Sequence, residues 1–329
     1  MPFIPSARHA RVAFVAAIAA SALLLGGCSS TPAASEKTPA TGAAVTDVKA
    51  DYLYEAGELP AHPQRVLALW RTGSELADIG VVPVGTLDGE MLDTELTAQQ
   101  WNAVKDVPSV GSFDGVDLED VIALKPDLIV GMDNGGLTID YKELGELFPV
   151  RILKIAEPTD VWDNYETLAA LVGKSTDFDS GQSALDARLA DIASQYGDKI
   201  GELKATAFGV MQGAVWVDTS KSLAYRRIDA AGFGYNPTYT DNPERYATEL
   251  SLENLPSLAD QDIIFYDTNL DGSVSADVQA VLDEPAFAQL PAVKAGHVYP
   301  LRGSVIYTFA GSNAQVDDLE AAAKDFAAS

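Results

Sequence analysis

The chain has 329 residues, 47% of them hydrophobic and 21% charged, which is enough for two domains with buried cores. Acidic side chains outnumber basic ones 48 to 22, a formal charge of −26. That balance excludes nucleic acid as a partner, because binding a polyanion needs a basic stripe. The single cysteine, Cys28, excludes an internal disulfide and any Cys-x-x-Cys redox or zinc site.

Residues 1–27 read as an export signal. Arg8 and Arg11 precede an apolar run from Val12 to Leu25. As a helix that run spans about 21 Å, short of a hydrocarbon core of roughly 30 Å. A basic start, a short apolar middle and small residues at the cut define a secretory signal. The stretch Leu25-Gly26-Gly27-Cys28 resembles the end of a bacterial lipoprotein signal, which implies a lipid on Cys28. Residues 28–61 are assigned to a flexible tether, since 29–50 are rich in Ser, Thr, Pro, Ala and Gly and cannot bury a core. Such a coil reaches roughly 30 Å. The folded part is therefore expected on the extracytoplasmic face of a membrane, lipid-anchored.

From Arg65 the pattern is α/β. Val66–Trp70 reads as a buried strand, Thr72 to Ile79 as a helix closed by Gly80, and Val81–Gly85 as the next strand. Asp117–Leu124 reads as a helix stopped at Pro126 and followed by the strand Leu128–Val130. A helix carrying Leu144, Leu147 and Phe148 then precedes a strand from Val150 to Ile155. Strands alternating with helices argue for a mainly parallel sheet. Phe178, Leu185, Leu189, Ile192 and Tyr196 recur 7, 4, 3 and 4 residues apart, the stripe of one long helix. Thr176 or Asp177 is expected to cap its start, with Gly197 and Gly201 bracketing its end. Strands resume at Phe208–Met211, Val215–Val217 and Ile263–Phe265. The expected architecture is two Rossmann-like lobes with mainly parallel sheets, 62–172 and 202–329. One long helix at 173–201 joins them, and a ligand cleft lies between.

The segment Leu118-Glu119-Asp120-Val121 running into Asp127-Leu128-Ile129-Val130 is echoed by Leu252-Glu253-Asn254-Leu255 running into Asp262-Ile263-Ile264-Phe265. Equivalent helix starts then fall at Glu119 and Glu253. With Ala123-Leu124-Lys125-Pro126-Asp127-Leu128-Ile129 and Pro291-Ala292-Val293-Lys294-Ala295-Gly296, these segments resemble the substrate-binding lipoproteins of ABC importers. The class is the one with a helical backbone that handles ferric siderophores, haem and cobalamin. The resemblance implies a monomer that captures a ferric siderophore, or alternatively haem or cobalamin, and delivers it to an ABC permease dimer. It also implies that Glu119 and Glu253 dock onto the permease. An enzyme or adhesion module on the same fold is the rival reading.

The residues themselves give catalysis little support. Only His62 and His297 remain after the signal, with no thiol, no Gly-x-Ser-x-Gly elbow and no phosphate loop. Two histidines so far apart do not make a metal site, so no cofactor is expected and iron should arrive already chelated. Asp133 and Asp267 belong to no motif. A cleft for a chelate wants aromatic walls and a few fixed donors. Trp70 and Arg71 follow the first strand, on the side where open α/β sheets bind ligands. Trp216, Tyr246 and Tyr307 stand near comparable strand ends, and the resemblance also places Tyr246 and Tyr307 at ligand-contacting positions. Arg302 is the candidate donor to a chelate oxygen. Arg226 and Arg227 are expected to be solvated. Similar chains often carry an arginine after the Pro-Asp-Leu-Ile strand. Met132-Asp133-Asn134 stands there instead, which favours a hydroxamate-type chelate over a highly anionic one.

Overall fold

The computed structural model describes residues 44–45, 48–303 and 306–329. The export signal, Cys28 and the first part of the tether lie outside the described residues. The first lobe carries strands β1 (Tyr52–Ala56), β2 (Val66–Ala68), β5 (Leu128–Asp133) and β6 (Val150–Lys154), with a small hairpin of β3 (Gly111–Ser112) and β4 (Gly115–Val116) between. The sheet order is β1-β6-β5-β2. β2, β5 and β6 run parallel, and every residue of β2 and β5 is buried. Continuous apolar runs of this kind suit a parallel sheet covered on both faces.

β1 corrects the tether boundary, because part of 28–61 is sheet. Its exposure alternates residue by residue, and it pairs antiparallel with β6. Arg151 fixes the pairing by donating to the carbonyls of Ala56 (2.7 Å) and Gly57 (3.0 Å), and Tyr54 stacks on Tyr141. The Ser/Thr/Pro bias ends before Tyr52, so composition averaged over the segment hides a five-residue strand. The expected strand Val81–Gly85 is reduced to a parallel bridge from Gly85 to Leu67, since Pro83 removes a ladder donor.

The second lobe holds β7 (Ala205–Met211), β8 (Ala214–Asp218), β9 (Ala247–Leu250), β10 (Ile263–Thr268) and β11 (Val298–Arg302) in the order β11-β10-β7-β8-β9. β11, β10 and β7 are parallel, while β8 and β9 are added antiparallel. The sheets are therefore mixed, with parallel centres. The echo of the first lobe at Leu252 is a 3₁₀ helix, Leu252–Asp260, because Pro256 lies inside it.

The long linker helix spans Ser175–Ile200 and buries Phe178, Leu185, Leu189 and Ile192. Neither expected residue caps it. Lys174 holds the cap position without a side-chain bond, and Asp177 pairs instead with the Lys174 ammonium at 3.4 Å. Gly197 stays inside the helix, which runs on to bury Ile200.

A second helix also connects the lobes. The C-terminal helix Phe309–Ala328 packs along the linker helix, where Arg188 donates to Asn313 Oδ1 (2.8 Å) and pairs with Asp317. Its far end is held to the second lobe by Tyr299, whose hydroxyl donates to Asp325. Its N-terminus is held by the first lobe, because the Asp78 carboxylate accepts from the backbone N–H groups of Phe309 and Ala310. A carboxylate at a helix N-terminus satisfies orphan donors and opposes the helix dipole. The boundary at 202 thus marks where the chain enters the second lobe, and its last helix returns to the first.

Candidate functional site

β2 delivers Trp70 half-buried at the lobe boundary, its carbonyl held by the Met132 N–H at 2.8 Å. Phe113, exposed on the hairpin loop, meets the Trp70 ring edge-on at 6.2 Å. Arg71 follows in a left-handed conformation, φ 57°, which turns its guanidinium over both Trp70 (5.5 Å) and Tyr307 (5.0 Å). Three carboxyl groups surround it. Glu90 accepts from the Thr72 N–H, Glu95 accepts from the Ser74 hydroxyl, and Glu75 is buried with Oε2 unpartnered. Burial pushes the Glu90 carboxyl up to about 8, against the pull of Arg71. Burial and the neighbouring Glu90 and Glu95 push Glu75 well above its usual range as well. Arg71 is thus held between two rings and among three buried carboxyl groups whose raised pKa values favour their neutral forms.

The second lobe supplies a pocket of ≈ 260 Å³ at the ends of β7, β8 and β10, facing Pro158 of the first lobe. Trp216 and Tyr246 form its aromatic walls. Trp216 and Gly209 are register partners on β8 and β7, so the glycine leaves the floor open beside the indole. Asp218 and Asp267 supply its carboxyl groups. The Arg245 guanidinium lies over the Trp216 ring, 5.1 Å from its centroid. An adjoining cavity of ≈ 510 Å³ runs between Thr94 of the first lobe and the ends of β10 and β11, and Asp267 lines both. Among the described residues lining the two cavities stand three aspartates, Asp218, Asp267 and Asp271, and no Lys, Arg or His.

Trp70 and Arg71 thus stand on the first lobe, and Trp216 and Tyr246 share the pocket of the second. Tyr307 does not stand open as a cleft wall. It is 5% exposed and packed in the main core between the guanidinium of Arg71 and the lobe interior. Arg302 is not a free donor, because its backbone N–H and guanidinium both bond Asp318 at 2.9 Å, fixing the C-terminal helix to β11. Arg227 corrects the expectation of solvation. It is 4% exposed, donates to Gln315 Oε1 and the Ile306 carbonyl, and lies over Trp162 at 4.9 Å. Burial lowers its pKa to about 9. Arg226 behaves as expected on the surface, paired with Asp163. Asp133 is structural, accepting from the Gly135 and Gly136 N–H groups and from the Tyr141 hydroxyl. Glu119 and Glu253 are both exposed in the first turns of their helices.

Sequence reasoning missed Asp218 and set Asp267 aside. The available signal was an aspartate closing a buried strand in each case, Val215-Trp216-Val217-Asp218 and Ile263 to Asp267, where a carboxyl is costly to hide without purpose.

The family profile described as periplasmic binding protein matches residues 76–305. The chain belongs to this family. A putative ABC transporter substrate-binding lipoprotein of Bacillus subtilis, YhfQ, is 25% identical over 280 residues, covering 80% of this chain and 84% of that one. The Fe(3+)-citrate-binding protein YfmC of the same organism is 26% identical over 329 residues, covering 95% of each. Among solved structures, the siderophore periplasmic binding protein from the fuscachelin gene cluster of Thermobifida fusca superposes with a TM-score of 0.69. It is 24% identical, and the match covers 82% of this chain and 99% of that one. The two-lobed α/β fold with a long linking helix is the fold of these structures. Membership of a family of binding proteins agrees with the expectation of capture without turnover. Among the described residues no helix is long and apolar enough to cross a membrane.

The raised carboxyl groups fix a pH dependence. Burial, with the charge of Asp267 adding to it, lifts Asp218 to about 8, as burial does Glu90. A carboxyl whose folded pKa exceeds its unfolded value, near 4, holds its proton more tightly in the folded state. Its stabilising contribution is complete below pH 4 and is lost as pH rises to about 8. Each such group lowers stability by up to about 1.4 kcal/mol per pH unit within that window. Urea midpoints are expected to fall from pH 5 to pH 8, and Glu90→Gln to flatten the fall. Midpoints rising across that range, or an unchanged slope in the variant, would contradict the assignment.

Proposed function

We propose that the protein captures a ferric siderophore in the interlobe cleft and delivers it to an ABC permease. Lipid on Cys28 holds it at the extracytoplasmic face of the membrane, and it works as a monomer without a resident cofactor. The observation that carries the reading is the cleft lining, two aromatic walls beside three aspartates and no cation. Flat apolar walls suit the organic shell of a chelate. The siderophore-binding and Fe(3+)-citrate-binding names of similar proteins support the ligand class. Among the described residues no Lys, Arg or His lines the two cavities, and Arg302 is held by Asp318. Arg245 is already stacked on the Trp216 ring, so a highly anionic chelate gains little charge compensation. A neutral or cationic hydroxamate chelate needs none, and we assign that type.

The test is a fluorescence titration of the purified protein with a ferric trihydroxamate, a ferric tris-catecholate, ferric citrate and haem. The hydroxamate is expected to bind tightest and to be released unchanged. Tighter binding of the tris-catecholate at low salt, where repulsion is least screened, would overturn the ligand type. Tighter haem binding would overturn the siderophore reading. Trp216→Ala is expected to weaken hydroxamate binding by about 1–3 kcal/mol with little change in melting temperature, since the ring is half-exposed in the pocket. Unchanged affinity in that variant would remove the pocket from the site.

A further inference from the structure

We propose that Asp163 and Arg226 form an interlobe clasp that sets how fast the ligand leaves the cleft. The inference rests on the reading that this cleft takes a ferric chelate, and it names the contact that governs release. Asp163 belongs to the first lobe and Arg226 to the second, and their pairing is two-pronged. Arg226 Nη1 donates to Asp163 Oδ1 at 2.6 Å, and Nη2 donates to Oδ2 at 3.1 Å. A guanidinium fork on a carboxylate fixes orientation as well as distance. The next residues meet too. The Arg227 guanidinium lies over the Trp162 ring at 4.9 Å and is held there by Gln315 Oε1 and the Ile306 carbonyl. Two consecutive residues of one lobe thus grip two consecutive residues of the other.

The second observation is where the gripped segments lead. The helix Thr159–Asp163 follows Pro158, which faces the pocket of ≈ 260 Å³. Its start is fixed, because the Asp160 carboxylate accepts from the Ala156 and Glu157 N–H groups at 2.7 and 3.0 Å. On the other lobe the helix Leu223–Ala230 follows Ser222, and Ser222 and Leu223 line the same pocket. The Ser222 hydroxyl accepts from the Tyr225 N–H at 3.0 Å and anchors that start. The clasp therefore stands about 6–8 Å along each helix from the pocket wall. A ligand seated there touches both lobes and leaves when Pro158 and the second-lobe wall part. The clasp opposes that parting. The third observation is a cavity of ≈ 390 Å³ between the linker helix and the two gripped segments, with Trp162, Asp163, Leu223 and Arg226 among its walls. A close-packed interior resists a change of spacing by itself. With open space behind the segments, their spacing depends more on the contacts they make with each other.

The experiment follows release of a neutral ferric trihydroxamate by stopped-flow tryptophan fluorescence, chased with an excess of the non-quenching gallium complex. Asp163→Asn and Arg226→Gln are each expected to release the chelate about two- to fivefold faster at low salt, the range an exposed ion pair can supply. Both side chains are half-exposed, so melting temperatures should change little. Asp163→Asn/Arg226→Gln should be no faster than either single variant, because all three remove the same contact. Raising the salt to about 1 M should bring wild type to the rate of the variants and leave theirs unchanged. Equal low-salt rates in wild type and single variants, or a wild-type rate indifferent to salt, overturn the clasp and leave the cleft reading intact. Additive acceleration also overturns it, since two residues acting separately are not a pair. If the chelate does not bind wild type, the cleft reading falls, and amide exchange in the ligand-free protein decides the clasp. Arg226→Gln should then speed exchange in Thr159–Asp163, on the opposite lobe. A change confined to Leu223–Ala230 overturns the clasp.

Discussion

Phe309→Ala is expected to lower the unfolding free energy by about 3–5 kcal/mol, the usual range for truncating a buried aromatic ring. Phe309 is 8% exposed, and its ring contacts Trp162, Tyr165 and Phe178 at centroid distances of 5.4, 5.3 and 5.5 Å. Those partners come from the end of the first lobe and from the linker helix, so this ring ties the C-terminal helix to both. The linker helix is shaped to receive it, because a Cβ at Gly181 would lie 2.6 Å from the Phe309 ring. Beneath the ring, the Tyr165 hydroxyl donates to the Glu75 carbonyl and to Asp78, the carboxylate that caps the helix carrying Phe309. Truncation leaves a cavity walled by Trp162, Tyr165 and Phe178, with Tyr165 hydrogen-bonded in place, so the site collapses poorly. Tyr307→Ala is expected to behave similarly, losing about 3 kcal/mol while the folded fraction still binds ligand. Urea unfolding followed by circular dichroism and by tryptophan fluorescence measures both. A Tyr307→Ala protein of normal stability and lost affinity would return that side chain to the ligand.

The parts of the molecule set by local pattern were legible in the sequence. The stripe of Phe178, Leu185, Leu189 and Ile192 gave the linker helix because burial on one face imposes the 3.6-residue period. Asp117 capping Glu119 and Asp120 could be read from residue type and spacing alone. What escaped was decided by contacts distant in sequence. Arg227 reads as one of two helical arginines, yet Gln315 and the Ile306 carbonyl, some eighty residues on, make its burial possible. Arg302 reads as a free donor until Asp318 is folded back against it. The last residues were assigned to the second lobe by their place in the chain, since nothing local announces a helix that Asp78 of the first lobe will cap. At the site, aromatic residues near strand ends located the wall formed by Trp216 and Tyr246. The carboxyl groups beside them were invisible in a chain with 48 acidic residues, because composition hides which are buried. Two helices span the lobes where one was expected, and a pair of packed helices resists bending, so only small closure on ligand binding is expected.

Reversing Glu119 and Glu253 together to Arg is expected to abolish iron uptake while leaving ligand affinity unchanged. The docking role is the one that resemblance implied, and both side chains are exposed, one on each lobe. Glu119 sits on a helix start ordered by Asp117, whose carboxylate accepts from the Glu119 and Asp120 N–H groups at 2.9 and 3.2 Å. Glu253 occupies the first turn of the 3₁₀ helix that follows Ser251. Neither residue lines the two cavities described above, so neither should touch the chelate. An exposed ion pair contributes only about 0.2–1 kcal/mol, so removing one carboxylate should be tolerated. The double reversal does more, replacing attraction with like-charge repulsion at two separated points of one interface. The measurement is paired, with chelate affinity of the purified double variant set beside iron uptake in cells that carry it. Retained affinity with lost uptake assigns the two glutamates to delivery. Uptake at the wild-type rate would leave them as helix-start carboxylates stabilised by the helix dipole.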